Sequence, residues 1–439
     1  MRLAFGSVVV ASGLLAVAHG CSSPSGATAG AADAGSDAEL TPEATVGDAT
    51  HCVIPPKPAA VPEGWDLYTD YDPCCLLYAP TAPQYLPPPL QWTSCSAAWK
   101  ADGGVCRMLD QPSAGSPTLS ASVHNGVVSL LTTELVGSVY AHVVADADGP
   151  VHQAMMQASG SCGPSPQDMR DGKYVFQIYN VDTFNGGGFL AGDVDEFRPS
   201  FVHHFNDAIT HGVVVGQLGV LDVDETDALT LYRWDQSSKV ISNPQDVGLE
   251  KSFPFFSADA LFWGATTSTT LRVAGYTDGN GATDLLSFGA DWSHGAGDLG
   301  SDGKDMVWIE GSGRAGPLSD FDSGSFMTST FTTDPSHVVK RRLRSEDSKG
   351  MSASPTTVGC GYAARSSIDG SGHVNGIRIV RISDGVSWSL VSNTTAPWIW
   401  IHPLALTCDE LFAAVGTGPD TNNVARVQIS SLGPGVPAD

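Results

Sequence analysis

Lysine and arginine are scarce: 22 of 439 residues, against 47 aspartates and glutamates, for a formal net charge of -25. A chain this acidic repels nucleic-acid phosphates and anionic headgroups, so nucleic acid is excluded as a partner. Charged residues of either sign make up only 16%. Helix-favouring Lys, Glu, Gln and Arg are thin throughout, and no long stretch carries a 3.6-residue apolar period, which argues against an all-helical fold. Past the first twenty residues no apolar run reaches about 18 residues, the length a membrane-spanning helix requires. HExxH, CxxC and GxSxG are all missing, which removes the local signatures of zinc proteases, zinc ribbons and serine hydrolases. No cofactor-binding pattern is present either. What fills the chain instead is 49 Gly and 28 Pro together with Ser, Thr and Asn. That composition suits many short strands joined by tight turns.

The first residues form an address. Met1-Arg2 is followed by an uncharged apolar stretch, Leu3 to Ala18, then small residues, which is the pattern of a secretory signal peptide over 1–20. The exit, Ala18-His19-Gly20-Cys21-Ser22, resembles a bacterial lipobox. The resemblance implies that Cys21 is acylated, and Ser22 after it implies the outer membrane; ordinary cleavage nearby is the alternative. Residues 22–51 carry Asp33, Asp37, Glu39, Glu43 and Asp48, no Lys or Arg, and no apolar face. Such a stretch is expected to be a disordered tether spanning on the order of 30 Å. Contact with a membrane is then expected through the lipid alone.

Nine cysteines, at 21, 52, 74, 75, 95, 106, 162, 360 and 408, leave eight once Cys21 carries lipid. An even number in an oxidising compartment predicts disulfides. Cys95 and Cys106 flank a short Gly-Gly loop and are expected to pair. Cys360 and Cys408 precede equivalent strands of successive repeats and are expected to join neighbouring units. Cys52, Cys74, Cys75 and Cys162 keep several connectivities open.

Residues 52–116 are Pro-rich and hold Trp65, Tyr68, Tyr71, Trp92 and Trp99. They predict an extended, disulfide-held segment packed by its aromatics on a body spanning 117–439. In that body one phrase returns: a turn, then an apolar strand. It reads Asp171-Gly172-Lys173-Tyr174-Val175-Phe176 and Asp302-Gly303-Lys304-Asp305-Met306-Val307-Trp308. Looser copies begin at Ala258, Gly359 and Cys408, and the fullest set of strands runs from Ile377 to Ile429. Copies lie about 40 to 50 residues apart. Units of that size cannot bury both faces alone, so they stack around an axis. The expectation is an all-β propeller of about seven four-stranded blades, within six to eight, with a β-sandwich as the rival.

The Asp-Gly-Lys turns at 171–173 and 302–304 and the strand end Ser383-Asp384-Gly385 resemble those of TolB-like, WD-repeat-like propellers of the bacterial envelope. The resemblance covers the body and implies a repeat architecture. It implies no catalytic residue.

Candidate chemistry is sparse. Asp222 and Asp224 in DVDETD, and Asp278, Asn280 and Asp284 in DGNGATD, are oxygen-rich enough to suggest calcium. The same residues are also what tight turns require. Asp193, Asp195 and Glu196 before His203, His204 and His211 form a looser carboxylate and imidazole group without ligand spacing. Trp398, Trp400 and His402 share one strand face, placed either to line the axis, where a sugar would stack, or to fill the core between blades. The basic run Lys340, Arg341, Arg342, Arg344 reads as a solvated strand face. The functional expectation is an exported, lipid-anchored envelope protein whose propeller binds another envelope protein or a glycan. A propeller enzyme acting on glycans and a free secreted protein are the alternatives.

Overall fold

The computed structural model describes residues 63–438, except 73–74, 82–83, 86–90, 95–105, 111–117, 125–126, 136–138, 146–151, 161, 181–186, 195–198, 206–209, 225–227, 243–249, 267–269, 280, 290–293, 313–322, 347–355, 369–373, 392–400 and 419–420. Cys21, the signal peptide and the tether thus lie outside the described residues, as do Asn280, Trp398 and Trp400. Among the described residues no helix is long and apolar enough to cross a membrane.

Among the described residues every long element is a strand. The first five are β1 (Trp65–Asp72), β2 (Cys75–Pro80), β3 (Gln84–Tyr85), β4 (Gln91–Ser94) and β5 (Cys106–Asp110). Seven groups follow in sequence. Group I is β6 (Thr118–His124), β7 (Val127–Leu135), β8 (Val139–Ala145) and β9 (His152–Gly160). Group II is β10 (Cys162–Arg170), β11 (Lys173–Asn180), β12 (Gly187–Asp193) and β13 (Phe201–Phe205). Group III is β14 (Thr210–Gly216), β15 (Gly219–Asp224), β16 (Leu229–Arg233) and β17 (Ser238–Ser242). Group IV is β18 (Glu250–Ser257), β19 (Ala260–Thr266), β20 (Thr270–Thr277) and β21 (Gly281–Gly289). Group V is β22 (His294–Ser301), β23 (Asp305–Ser312), β24 (Ser323–Thr330) and β25 (Arg341–Glu346). Group VI is β26 (Thr357–Gly359), β27 (Tyr362–Ile368), β28 (Val374–Arg381) and β29 (Ser387–Val391). Group VII is β30 (Ile401–Leu406), β31 (Glu410–Gly418) and β32 (Thr421–Gln428).

Groups II to VI are each a four-stranded antiparallel sheet in sequence order. Group VII gains its fourth strand from far upstream: β5 pairs with β32, and β4 pairs with β5. Group I is widened into a seven-stranded sheet by β2, β1 and the short β3. The first strands touch in ring order, β6 to β10 to β14 to β18 and again β22 to β26 to β30, and β30 returns to β6. The protein is therefore an all-β propeller, and sheets II to VII are six of its blades. The Pro-rich region 52–116 supplies β1 to β5 to the first and last sheets rather than only aromatic anchors.

The recurring sequence phrase is the hairpin between the first and second strands of a blade. In blade II, Arg170 pairs with Lys173, leaving Asp171 and Gly172 as a two-residue turn with φ of 50° and 75°. Two left-handed residues are what a hairpin turn matching strand twist demands, and Asp-Gly adopts them at little cost. Blade VI repeats the turn at Cys360 and Gly361, with φ of 49° and 77°.

The second strand of each blade is apolar on both faces because it has a blade on each side. Its alternate residues go to opposite neighbours. In β15, Val220 joins the core shared with blade II, while Leu221 and Val223 join that shared with blade IV. In β19, Leu261 and Trp263 face blade III, and Ala260 and Phe262 face blade V. In β23, Met306 and Trp308 face blade IV, and Val307 and Ile309 face blade VI. In β27, Ala363 and Ala364 divide in the same way, and Leu411 and Ala413 of β31 complete the seam between blades VI and VII. The core is thus a set of slabs between sheets.

First strands carry a different mark. Pairing slips by a residue or more at Pro166/Asp168, Thr210/Gly212, Ser252/Phe255, Gly297/Gly300 and Pro403/Ala405. Bulges of this kind bend a strand. They also explain how Pro164, Pro166 and Pro403 are accommodated: first strands are edge strands, and a proline there removes no obligatory ladder bond.

Candidate functional site: the ends of the inner strands

An innermost strand pairs on one side only, so its other edge exposes backbone amides and carbonyls toward the axis. At the turn-side ends, side chains from neighbouring blades satisfy them. The Asp168 Oδ2 accepts the Val215 amide at 3.1 Å. Arg170 reaches past β14 to donate from Nη1 to the Phe256 carbonyl at 3.2 Å, its guanidinium 5.6 Å from the Phe255 ring centroid. Gly216 makes the close approach of blades III and IV possible, since a Cβ there would lie 2.3 Å from Phe256 Cβ. Gln217 donates to the Asp171 carbonyl at 2.8 Å, and Thr357 Oγ1 to that of Pro403 at 3.0 Å. These side chains are therefore engaged in holding the ring together.

The rim on the same side is stitched from blade to blade. Arg233 of blade III forms an ion pair with Asp278 of blade IV, and Tyr276 donates its hydroxyl to the same carboxylate at 2.7 Å. These bonds, Arg233 first, hold the Asp278 carboxyl below its usual range. Thr283 of blade IV donates to the Thr333 carbonyl at 2.8 Å, and Arg341 of blade V to that of Ile382 at 2.7 Å. Beyond β32 the chain runs back along blade VI. Val436 and Ser387 exchange backbone bonds of 2.8 and 2.9 Å, and the buried Arg344 of blade V donates to the Val436 carbonyl and the Ser387 hydroxyl.

The two candidate calcium loops lie on different blades. Asp278 is engaged by Arg233, Asp284 is exposed on β21 opposite Ala274, and Asp222 is buried on β15 of a different blade. Asp224 ends β15 opposite Thr210. Among the described residues no three His, Cys, Asp or Glu side chains are placed to hold a metal ion. The looser acid and histidine group is likewise divided: Asp193 pairs with Lys173, and His203 packs against Tyr232 with ring centroids 4.1 Å apart. Asp195 and Glu196 lie outside the described residues. Of the basic run, Lys340, Arg341 and Arg342 are exposed as expected, while Arg344 is buried beneath the returning tail.

His402 sits on the innermost strand β30, mostly buried, with Nδ1 3.1 Å from the Ser366 hydroxyl of blade VI. Ser366 has no exposed surface, and the contact lies in the seam between blades VI and VII. Burial pushes the His402 imidazole below its ordinary value. The unfolded chain takes up that proton near pH 6.5 while the fold resists it, so this contribution is complete above about pH 6.5 and is lost as pH falls. His402→Gln keeps a polar partner for Ser366 and cannot titrate. Thermal melts between pH 7 and 5 are expected to show a shallower acid loss for this variant than for the native chain; equal slopes would refute the assignment.

Cys360 and Cys408 form a disulfide, Cα to Cα 5.0 Å, between the first hairpin turns of blades VI and VII. For the other expected pair, Cys95 lies outside the described residues and Cys106 opens β5. Sequence reasoning missed Asp168 and Arg170 and took Arg344 for a solvated strand residue; their partners lie 41 to 92 residues away with no local signal.

No protein-family profile matches the chain, and no curated protein matches it. Solved structures do resemble it. The β-propeller domain of the trilobed protease from Pyrococcus furiosus, described as having an open velcro topology, aligns at 11% identity over 71% of this chain and 94% of that one, with a TM-score of 0.43. A chain of a mitotic checkpoint complex aligns at 11% identity over 76% of this chain and 96% of that one, with a TM-score of 0.45. The likeness is distant, and the propeller assignment rests on the sheet order and ring contacts described above.

Proposed function

We propose that this is an exported, lipid-anchored envelope protein whose propeller is a binding module, with its ligand at the mouth opposite the first hairpin turns. The observation that carries the reading is an asymmetry in connection length. The first-to-second-strand turns of blades II to VII are two residues (171–172, 217–218, 258–259, 360–361) or three (302–304, 407–409). The connections that enter those blades on the other side are 206–209, 243–249, 290–293, 347–356 and 392–400, with only Ser161 shorter. Minimal turns leave little for a ligand, while longer connections on a rigid scaffold are where binding groups are carried. The group β6 to β9 serves as the seventh blade in this reading. The oxidised Cys360–Cys408 pair supports an oxidising compartment and hence export. Cys21 and the acidic tether supply the anchor.

The ligand is an envelope protein or a glycan, met by the connection 392–400 with Trp398 and Trp400. Full-length protein labelled with acyl chains in cells and titrated with solubilised envelope glycans and proteins provides the test. The double substitution Trp398→Ala, Trp400→Ala is expected to weaken capture by about tenfold or more, since aromatic anchors dominate such contacts. An unacylated Cys21 would overturn the anchoring, and undiminished capture by the double variant would overturn the binding face.

A further inference from the structure

We propose that the Cys360–Cys408 disulfide is a reducible clasp, which a dithiol opens in the folded protein to release the first strand of blade VI from blade VII. Both cysteines are exposed on turns, where a reductant reaches them. The strand that the clasp secures is unusually short. β26 is three residues, whereas the first strands of the other blades run from six, in β30, to nine, in β10. It is held in its own sheet by three residue pairs, Thr357 with Ala364, Val358 with Ala363 and Gly359 with Tyr362.

Beyond the clasp, the ties of β26 itself to blade VII are few, whereas β27 is anchored there by Ser366, 3.1 Å from His402, and by Ala364 in the apolar seam. Thr357 Oγ1 donates to the Pro403 carbonyl at 3.0 Å, and Gly359 lies so close to Leu406 that a Cβ would come within 2.5 Å of its carbonyl oxygen. The remainder of the seam is secured independently. A buried apolar cluster that includes Ile377, Ile379, Trp388, Leu411 and Ala425 fills its middle. The returning tail binds its outer strand through Ser387 and Trp388. Opening the clasp therefore frees β26 while β27 and the blades stay together, and the wall beside the axis is breached at one place.

The chemistry is thiol–disulfide exchange. One thiolate of the dithiol attacks a sulfur of the pair and the other cysteine leaves as thiolate. The second thiol of the reductant then attacks the mixed disulfide. The reductant ends as a disulfide, two electrons pass to the protein, and Cys360 and Cys408 end as protonated thiols.

The test uses the full chain at neutral pH and a temperature well below its melt, with dithiothreitol as the dithiol. Alkylation with mass mapping is expected to find Cys360 and Cys408 as thiols while the circular dichroism of the sheets is unchanged. Amide exchange over 357–362 and 401–406 is expected to accelerate by about tenfold or more, with β23 and β24 unaffected, as for a local opening. The double variant Cys360→Ser, Cys408→Ser is expected to show the same fast exchange without reductant, which separates this bond from any other disulfide. The proposal is overturned if the pair reduces only when sheet structure is lost, or if the reduced protein exchanges over these strands at the oxidised rate.

Discussion

Trp308→Ala is expected to lower the unfolding free energy by about 3 to 5 kcal/mol, the range for removing a large aromatic from a packed core. Trp308 has no exposed surface. It lies on the second strand of blade V and sends its indole into the slab shared with blade IV, among Phe262, Leu285, Leu286, Leu299 and Met306. Two rigid sheets bound that slab, and neither can collapse into the void without disturbing its other neighbour. The indole Nε1 also donates to Glu310 Oε2 at 3.3 Å, and Glu310 in turn holds Lys340. Truncation thus removes packing and loosens an ion pair on the rim. Denaturant titration followed by circular dichroism checks the value. A loss below about 1 kcal/mol, the scale of an ordinary surface change, would mean that the indole is not between two blades.

Met108→Pro is expected to prevent the last blade from closing. Met108 is the central residue of β5, paired to Ala425 of β32 on one side and to Thr93 of β4 on the other. A proline at a strand position with partners on both sides removes a ladder bond and is found essentially only at sheet edges and bulges. Its consequence reaches further than one bond, because β5 is what makes group VII four-stranded. The variant is expected to lose cooperative unfolding or to melt well below the native protein in differential scanning calorimetry. Pro substitution at Ala438, on the exposed tail beyond the Val436 bridge, is the control and is expected to change the melt little. Equal melts for Met108→Pro and the native chain would remove β5 from the account.

Much of the fold was legible because one physical situation recurs. A strand flanked by blades on both sides must be apolar on both faces, so Val175-Phe176, Leu261-Phe262, Val307-Trp308 and Leu411-Phe412 all stand out against Ser- and Gly-rich surroundings. The Cys360–Cys408 bond followed from the same regularity, since both cysteines precede equivalent strands. The copy in blade III went unread because its turn is Gln217-Leu218, without the Asp or Gly that each of the other first turns of blades II to VII carries. The phase of the repeat was hidden as well: the phrase begins at the middle of the inner hairpin, and the bulged, proline-bearing first strands carry no alternation to reveal them. Long-range closure was not legible at all. Nothing in Cys106–Asp110 announces that it pairs with a strand more than 300 residues later.

The site fared less well, for a reason that is also physical. Aspartates beside glycines are demanded by turns and by calcium alike, and what distinguished them here was the partner. Asp278 meets Arg233, 45 residues earlier in the chain, and is thereby held as a carboxylate bridging two blades. Arg170 and Asp168 look like ordinary strand residues until the neighbouring first strands bring backbone groups within their reach. Side chains that close an open strand edge are chosen by geometry across blades, and no spacing along the chain encodes it.

The most direct test of a ring closed by its own upstream strand is a cross-link across that closure. With Met108→Cys and Ala425→Cys introduced together, mild oxidation followed by proteolysis should leave the peptides carrying the two positions joined by one disulfide, because paired strand positions fall within bonding distance. Peptides that separate, with both new cysteines free while the protein remains folded, would show that the last blade is not completed by β5 and that the ring is not closed in this way.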